Sequence, residues 1–140
     1  MRFVSVVLAF ILLAGCMASG TKFSEITDIP AVSPDKSRVY VYREYVYKGS
    51  GLATPILDNG VKVGELNVGG YFTYETDSGF HEIRTDTYVV DEPAILEMQS
   101  GATYYVSITQ EGLWRFVFIS SQMSQLDALP ALAEMRNQGT

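Results

Sequence analysis

Pro55-Ile56-Leu57-Asp58-Asn59-Gly60-Val61-Lys62-Val63-Gly64-Glu65-Leu66 is the stretch whose reading decides the fold. Two apolar runs, Pro55 to Asp58 and Val61 to Leu66, flank Asn59-Gly60, and these two residues tolerate the positive φ that a tight hairpin demands. Working outward, the same texture repeats. Upstream lies Arg38 to Tyr47, dense in Val and Tyr. Downstream, Gly69-Gly70 precedes Tyr71 to Thr76, Asp77-Ser78-Gly79 precedes Phe80 to Val90, and Glu92-Pro93 precedes Ala94 to Met98. Ser100-Gly101 then precedes Thr103 to Gln110, and Glu111-Gly112 precedes Leu113 to Ser120. Seven or eight short strands separated by turns every eight to twelve residues predict an all-β chain. We expect an antiparallel β-sandwich of immunoglobulin or transthyretin-like type. No long helical segment separates the strands, which argues against a parallel α/β sheet. Nine Tyr and seven Phe suit half-buried pleated surfaces.

Alternation assigns faces. Tyr104, Val106 and Ile108 are expected in the core, with Phe72 and Tyr74. His81, Ile83 and Thr85 face opposite to Glu82, Arg84 and Asp86, a charged outer row. Trp114, Phe116 and Phe118 oppose Val117 and Ile119, so both sides of that strand are apolar and something should cover the second. The C-terminal segment is the candidate, because Met123, Leu126, Leu129 and Ala133 form a helical stripe. Ser124 with Asp127 marks a helix start, while Pro130 threatens to kink or split the helix. The expected division is 1–15 signal, 16–37 lipidated cysteine and flexible tether, 38–121 sandwich, and 122–140 helix and tail.

The N-terminus carries its own message. Met1-Arg2 is a minimal basic start, and Phe3 to Ala14 is apolar except for Ser5. Twelve helical residues span only about 18 Å against a bilayer core of about 30 Å, so this reads as a signal peptide rather than a membrane span. Leu13-Ala14-Gly15-Cys16 resembles the bacterial lipobox, which implies diacylglycerol attached through a thioether at Cys16, cleavage before it, and acylation of the new amino group. Cys16 is the only cysteine and cannot serve an internal disulfide. Ordinary cleavage after Ala18 is the alternative. Met17 follows where Asp would signal inner-membrane retention in Gram-negative sorting, so the expected address is the outer membrane, facing the periplasm. A flexible chain over 17–37 would reach about 25 Å, and about 70 Å at most, holding the domain just off the membrane, with Phe23 and Ile26 free to dock.

Removing residues 1–15 takes away Arg2 and no acid, so the formal charge moves from −6 to −7. That opposes nucleic-acid binding and loose adsorption to anionic lipid. We assign no catalytic residue, cofactor or metal. His81 is the only histidine and reads as a packed rim residue. Asp58-Asn59-Gly60 is a turn rather than a calcium loop. Asp86, Asp91, Glu92 and Glu97 offer carboxylates without a cleft signature. Tyr40 and Tyr42 share a face, with Tyr45 and Tyr47 opposite. Packed in the core, they are structural; exposed, they form an aromatic strip suited to protein or glycan partners. The candidate binding face is therefore Tyr40 and Tyr42 with the acidic loop at Asp91-Glu92.

The run Arg38-Val39-Tyr40-Val41-Tyr42-Arg43, followed by Pro55 to Gly60, Val63-Gly64, Gly70-Tyr71-Phe72, Ser78 to Ile83 and Gly101 to Tyr105, resembles bacterial lipoproteins carrying domain of unknown function 2846. The part from Asp58 to Ile83 is also similar to the PEGA surface-layer repeat. Ser78 stands where that pattern more often has Pro, and Asn59 stands in its usual Asp-Gly turn; both keep turn chemistry. The resemblance, over about residues 37–120, implies an all-β envelope domain and brings no catalytic residues. The expected function is a non-catalytic binding or structural module anchored by its N-terminal lipid, with an envelope protein or glycan as partner. The alternatives are a hydrolase of wall polymer or lipid, and a carrier of a small ligand.

Overall fold

The computed structural model describes residues 18–45, 53–87, 91–112 and 117–139. The signal peptide, Cys16, Tyr47, Trp114 and Phe116, all singled out above, lie outside the described residues. The described strands are β1 (Lys36–Arg43), β2 (Thr54–Asp58), β3 (Val61–Leu66), β4 (Gly70–Asp77), β5 (Gly79–Thr85), β6 (Asp91–Glu92), β7 (Ala94–Met98), β8 (Thr103–Glu111), β9 (Val117–Met123) and β10 (Arg136–Asn137). A single 3₁₀ turn covers Phe23–Glu25, and one helix, α1, covers Gln125–Ala133.

The strands form a sandwich. One sheet has the order β10-β4-β1-β8-β9-β6 and the other β3-β2-β5-β7. The all-β reading holds, while the larger sheet is mixed: β1 runs parallel to β8, β10 to β4, and β6 to β9. Parallel neighbours need long crossovers, and here the whole second sheet supplies the connection from β1 to β8. The Asn59-Gly60 turn closes the β2–β3 hairpin with φ of 48° and 81°, the left-handed pair that twisted hairpins favour.

Val39, Val41, Phe72, Val106 and Ile108 of the larger sheet pack against Ile56, Leu66, Ile83, Ala94, Leu96 and Met98, with Phe118 beside them. Gly64 is needed for this packing, because a Cβ there would fall 2.6 Å from the Phe72 ring. Polar groups also bridge the layers. The buried Arg43 guanidinium donates to Thr54 Oγ1 at 3.0 Å and Gln110 Oε1 at 2.8 Å, and lies over the Phe118 ring. Toward the other end, the Tyr74 hydroxyl donates to Asp58 at 3.0 Å.

The outer face of the larger sheet holds a second apolar layer. Tyr40, Tyr42, Tyr71 and Tyr105 are buried there with Ala128, Leu132 and Met135, flanked by Phe23 and Ile26. Tyr40 stacks on Tyr105 at 5.5 Å, and Phe23 meets Tyr40 and Tyr71 edge-on. The expected start of α1 is present, with the Asp127 amide donating to Ser124 Oγ at 3.2 Å. Pro130 neither splits nor ends the helix.

Two expectations need correction. Of the expected stripe, Met123 and Leu129 pack partly buried against the tyrosine layer, but its buried centre is Ala128 and Leu132, and Leu126 is 86% exposed. The helix lies across the tyrosine layer, so the tertiary contact selected a stripe rotated from the one read by period. The flexible tether over 16–37 is also corrected for residues 20–37. The Asn137 amide donates to the Thr21 carbonyl at 2.8 Å, the Phe23 amide to the Met135 carbonyl at 2.9 Å, and Arg136 to the Gly20 carbonyl at 3.0 Å. Lys22 bridges to Arg136 and pairs with Glu134 at 2.8 Å. Lower down, Arg38 donates to the carbonyls of Pro30 and Ala31. Phe23 and Ile26 dock on the tyrosine layer, as their apolar character allows.

A candidate binding groove on the outer face

The tyrosine-rich strand β1 supplies the floor of a cleft on the outer face of the larger sheet. Its alternation turns Val39 and Val41 inward and Arg38, Tyr40 and Tyr42 outward. Pairing with β4 aligns Arg38 with Glu75, Tyr40 with Thr73 and Tyr42 with Tyr71. The segment from Phe23 to Pro30 runs alongside and leaves a groove of about 370 Å³ between itself and the sheet. Phe23, Ile26, Ile29, Tyr40 and Tyr71 give it an apolar, aromatic lining, and Asp28, Arg38, Glu75 and Asn137 give it polar edges.

The charged pair at the lower edge is already engaged. Arg38 meets Glu75 at 2.8 Å, and Ser33 Oγ donates to Glu75 at 2.6 Å. The Ser33 hydroxyl and then Arg38 hold the Glu75 carboxyl below the usual carboxylate range. These groups seat the N-terminal segment against the sheet, and the groove's aromatic floor is itself mostly covered, with Tyr40 6% and Tyr71 1% exposed. Ile29, 48% exposed, stands on its outer lip.

Of the two readings of Tyr40 and Tyr42, the packed one holds, at 6% and 0% exposure, and the candidate binding face they headed is corrected. The helix and the N-terminal segment cover them, which β-alternation within one strand does not disclose. Tyr40 still contributes one ring to the groove, while Tyr42 is wholly covered, and burial pushes its hydroxyl up to about 12. Asp91 and Glu92 form no presented loop. They make β6, an edge strand beside β9. Asp91 turns toward Thr85, whose hydroxyl donates to it at 3.0 Å, and burial holds its carboxyl above the usual range. Glu92 is exposed. The structure does not bring this pair to the tyrosines, since β6 and β1 are separated by β8 and β9.

His81 is 6% exposed and lies inside the sandwich. Its Nδ1 is 2.7 Å from Asp58 Oδ1 and its Nε2 is 3.0 Å from the Asp77 carbonyl oxygen. The Asp77 carbonyl can only accept at Nε2, and Nδ1 faces the Asp58 carboxylate. With Tyr74 on the same carboxylate, this cluster joins the two sheets. Among the described residues no group of three or more His, Cys, Asp or Glu is placed to hold a metal. The residues sequence reasoning missed are Phe23, Ile29 and Tyr71, which belong to a face only once the N-terminal segment is docked.

Fold and cleft together define a two-sheet β-sandwich with a covered aromatic outer layer and a groove beside it. The family model for DUF2846, described as a protein of unknown function, matches residues 33–117. That is more than half of the 140 residues, and the chain belongs to this family. No curated protein and no solved structure matches it.

Proposed function

We propose that this chain is an outer-membrane lipoprotein, anchored through acylated Cys16 and facing the periplasm, that acts as a non-catalytic binding module. The observation that carries the binding reading is the groove: an aromatic floor of Phe23, Tyr40 and Tyr71 beside an Arg38–Glu75 pair already engaged within the fold. Such a cleft favours an occupant that contributes apolar or ring surface and asks little of charged partners. An extended protein segment or the apolar face of a glycan has that chemistry. The anchor reading rests on the lipobox-like Leu13 to Cys16 and the single thiol.

The test uses a photo-crosslinking residue at Ile29 on the groove lip and, as control, at Val61 on the hairpin, 67% exposed. A defined adduct formed in intact cells from position 29 and absent from position 61 is expected. Equal labelling at both sites would remove the groove as the binding surface. Metabolic labelling with an alkyne fatty acid is expected to mark the wild type and to be lost in Cys16→Ala; labelling retained in that variant would overturn the anchor.

A further inference from the structure

We infer that the sandwich rests directly on the membrane, with the end formed by Ala18, Tyr45, Val68, Gly69 and Met135 against the lipid headgroups. This rests on the lipid-anchor reading of Cys16 and goes beyond it, because anchoring alone leaves orientation and height open.

The argument starts from the length of chain that remains free. Ala18 is already part of the domain, only 9% exposed, and lines a shallow cleft of about 110 Å³ with Tyr45, Val68, Gly69 and Met135, edged by the charged Glu134 and Arg136. From Gly20 onward the backbone is bonded to β10 and its flanks, as described above. A Cβ at Gly20 would sit 1.8 Å from the Asn137 carbonyl oxygen, so the two backbones are in immediate contact. Only Met17 separates Ala18 from Cys16. Two residue steps span at most about 7 Å. One headgroup layer is itself about 5–7 Å thick, and the acylated residue must sit at its base. No length remains for a spacer, and the Ala18 end meets the lipid.

The position of this end in the fold gives the orientation. β1 rises toward Tyr45, and Gly69 reaches it through its amide bond to the Arg43 carbonyl at 2.8 Å. The Asn59-Gly60 hairpin tip lies at the opposite end, because β2 descends from Thr54, which is bonded to Arg43, to Asp58. Tyr45, 57% exposed and standing 3.7 Å from where a Gly69 Cβ would lie, presents an aromatic ring at the membrane end. Tyrosine suits the headgroup layer, where one side is apolar and the other wet. Among the described residues near this end, Lys22 is engaged with Glu134 and Arg136 with the Gly20 carbonyl. The acyl chains therefore supply the attraction, and the face supplies the fit. The groove opens on the side of the sandwich, along the face that would stand upright from the bilayer, and stays accessible from the periplasm.

The experiment uses the purified acylated protein in phosphatidylcholine vesicles. Cys16 is blocked by its thioether, so Tyr45→Cys and, separately, Val61→Cys each provide one reactive thiol for an environment-sensitive fluorophore. Doxyl-labelled phosphatidylcholine is expected to quench the probe at 45 severalfold more than the probe at 61. Inserting a Gly-Ser linker between Met17 and Ala18 is expected to abolish the difference. Protein that floats with the vesicles but shows equal quenching at the two positions overturns the orientation and leaves the anchor intact. Protein that does not float overturns the anchor and this inference with it.

Discussion

Two tyrosines three positions apart on β4 illustrate how a hydroxyl is valued by what it reaches. Tyr74 points into the sandwich and donates to Asp58, which also holds His81. Tyr71 points outward, is 1% exposed, and its hydroxyl meets no hydrogen-bond partner among the described residues. Burying an unmatched hydroxyl is unfavourable, whereas removing one partner of a buried pair strands the other. Tyr74→Phe is therefore expected to cost about 1–2 kcal/mol in urea unfolding, and Tyr71→Phe to be neutral or stabilising by up to about 1 kcal/mol. Equal losses would show that Tyr71 has a partner of comparable worth. The sequence placed Tyr74 in the core correctly by alternation. It gave no means of knowing that Tyr71, on the other side of the strand, would be buried as deeply.

The helix α1 shows the same division at the level of an element. Its start was legible, because Ser124 and Asp127 carry a local hydrogen bond that needs no tertiary partner. Its buried side was not, because Leu126 and Leu132 are equally apolar and only the tyrosine layer chooses between them. Leu132 is fully buried and Leu126 is 86% exposed. Leu132→Ala is expected to lower stability by about 2–4 kcal/mol, from lost burial and the cavity left behind. Leu126→Ala is expected to fall within about 0.5 kcal/mol of wild type. Thermal or urea denaturation decides the matter, and the reverse ranking would mean that the helix packs on its other stripe.

Across the whole molecule, burial has raised the hydroxyls of Tyr42, Tyr71, Tyr74 and Tyr105, drawn from both the inner core and the outer layer. In an unfolded chain a tyrosine releases its proton near pH 10, but in the folded protein these four retain theirs. Above that pH the unfolded state binds fewer protons, so stability falls as pH rises. The contribution is complete below about pH 10 and is lost progressively from there through about pH 12, the value reached by Tyr42. Urea midpoints measured from neutral pH upward should stay level and then drop steeply, and the drop should be shallower in Tyr42→Phe. A profile that stays level through the alkaline range would contradict the burial of these side chains.

The sequence by itself determined the all-β class, most strand positions, the Asn59-Gly60 hairpin and the inward-facing residues of β4, β5 and β8, because turn chemistry and two-residue alternation are local properties. Tertiary structure alone decided the parallel pairing of β1 with β8, the docking of residues 20–37, and the covering of Tyr40 and Tyr42. Those features depend on contacts between residues up to about a hundred positions apart, such as Phe23 with Met135. The groove arises there, where the two ends of the chain meet over one sheet.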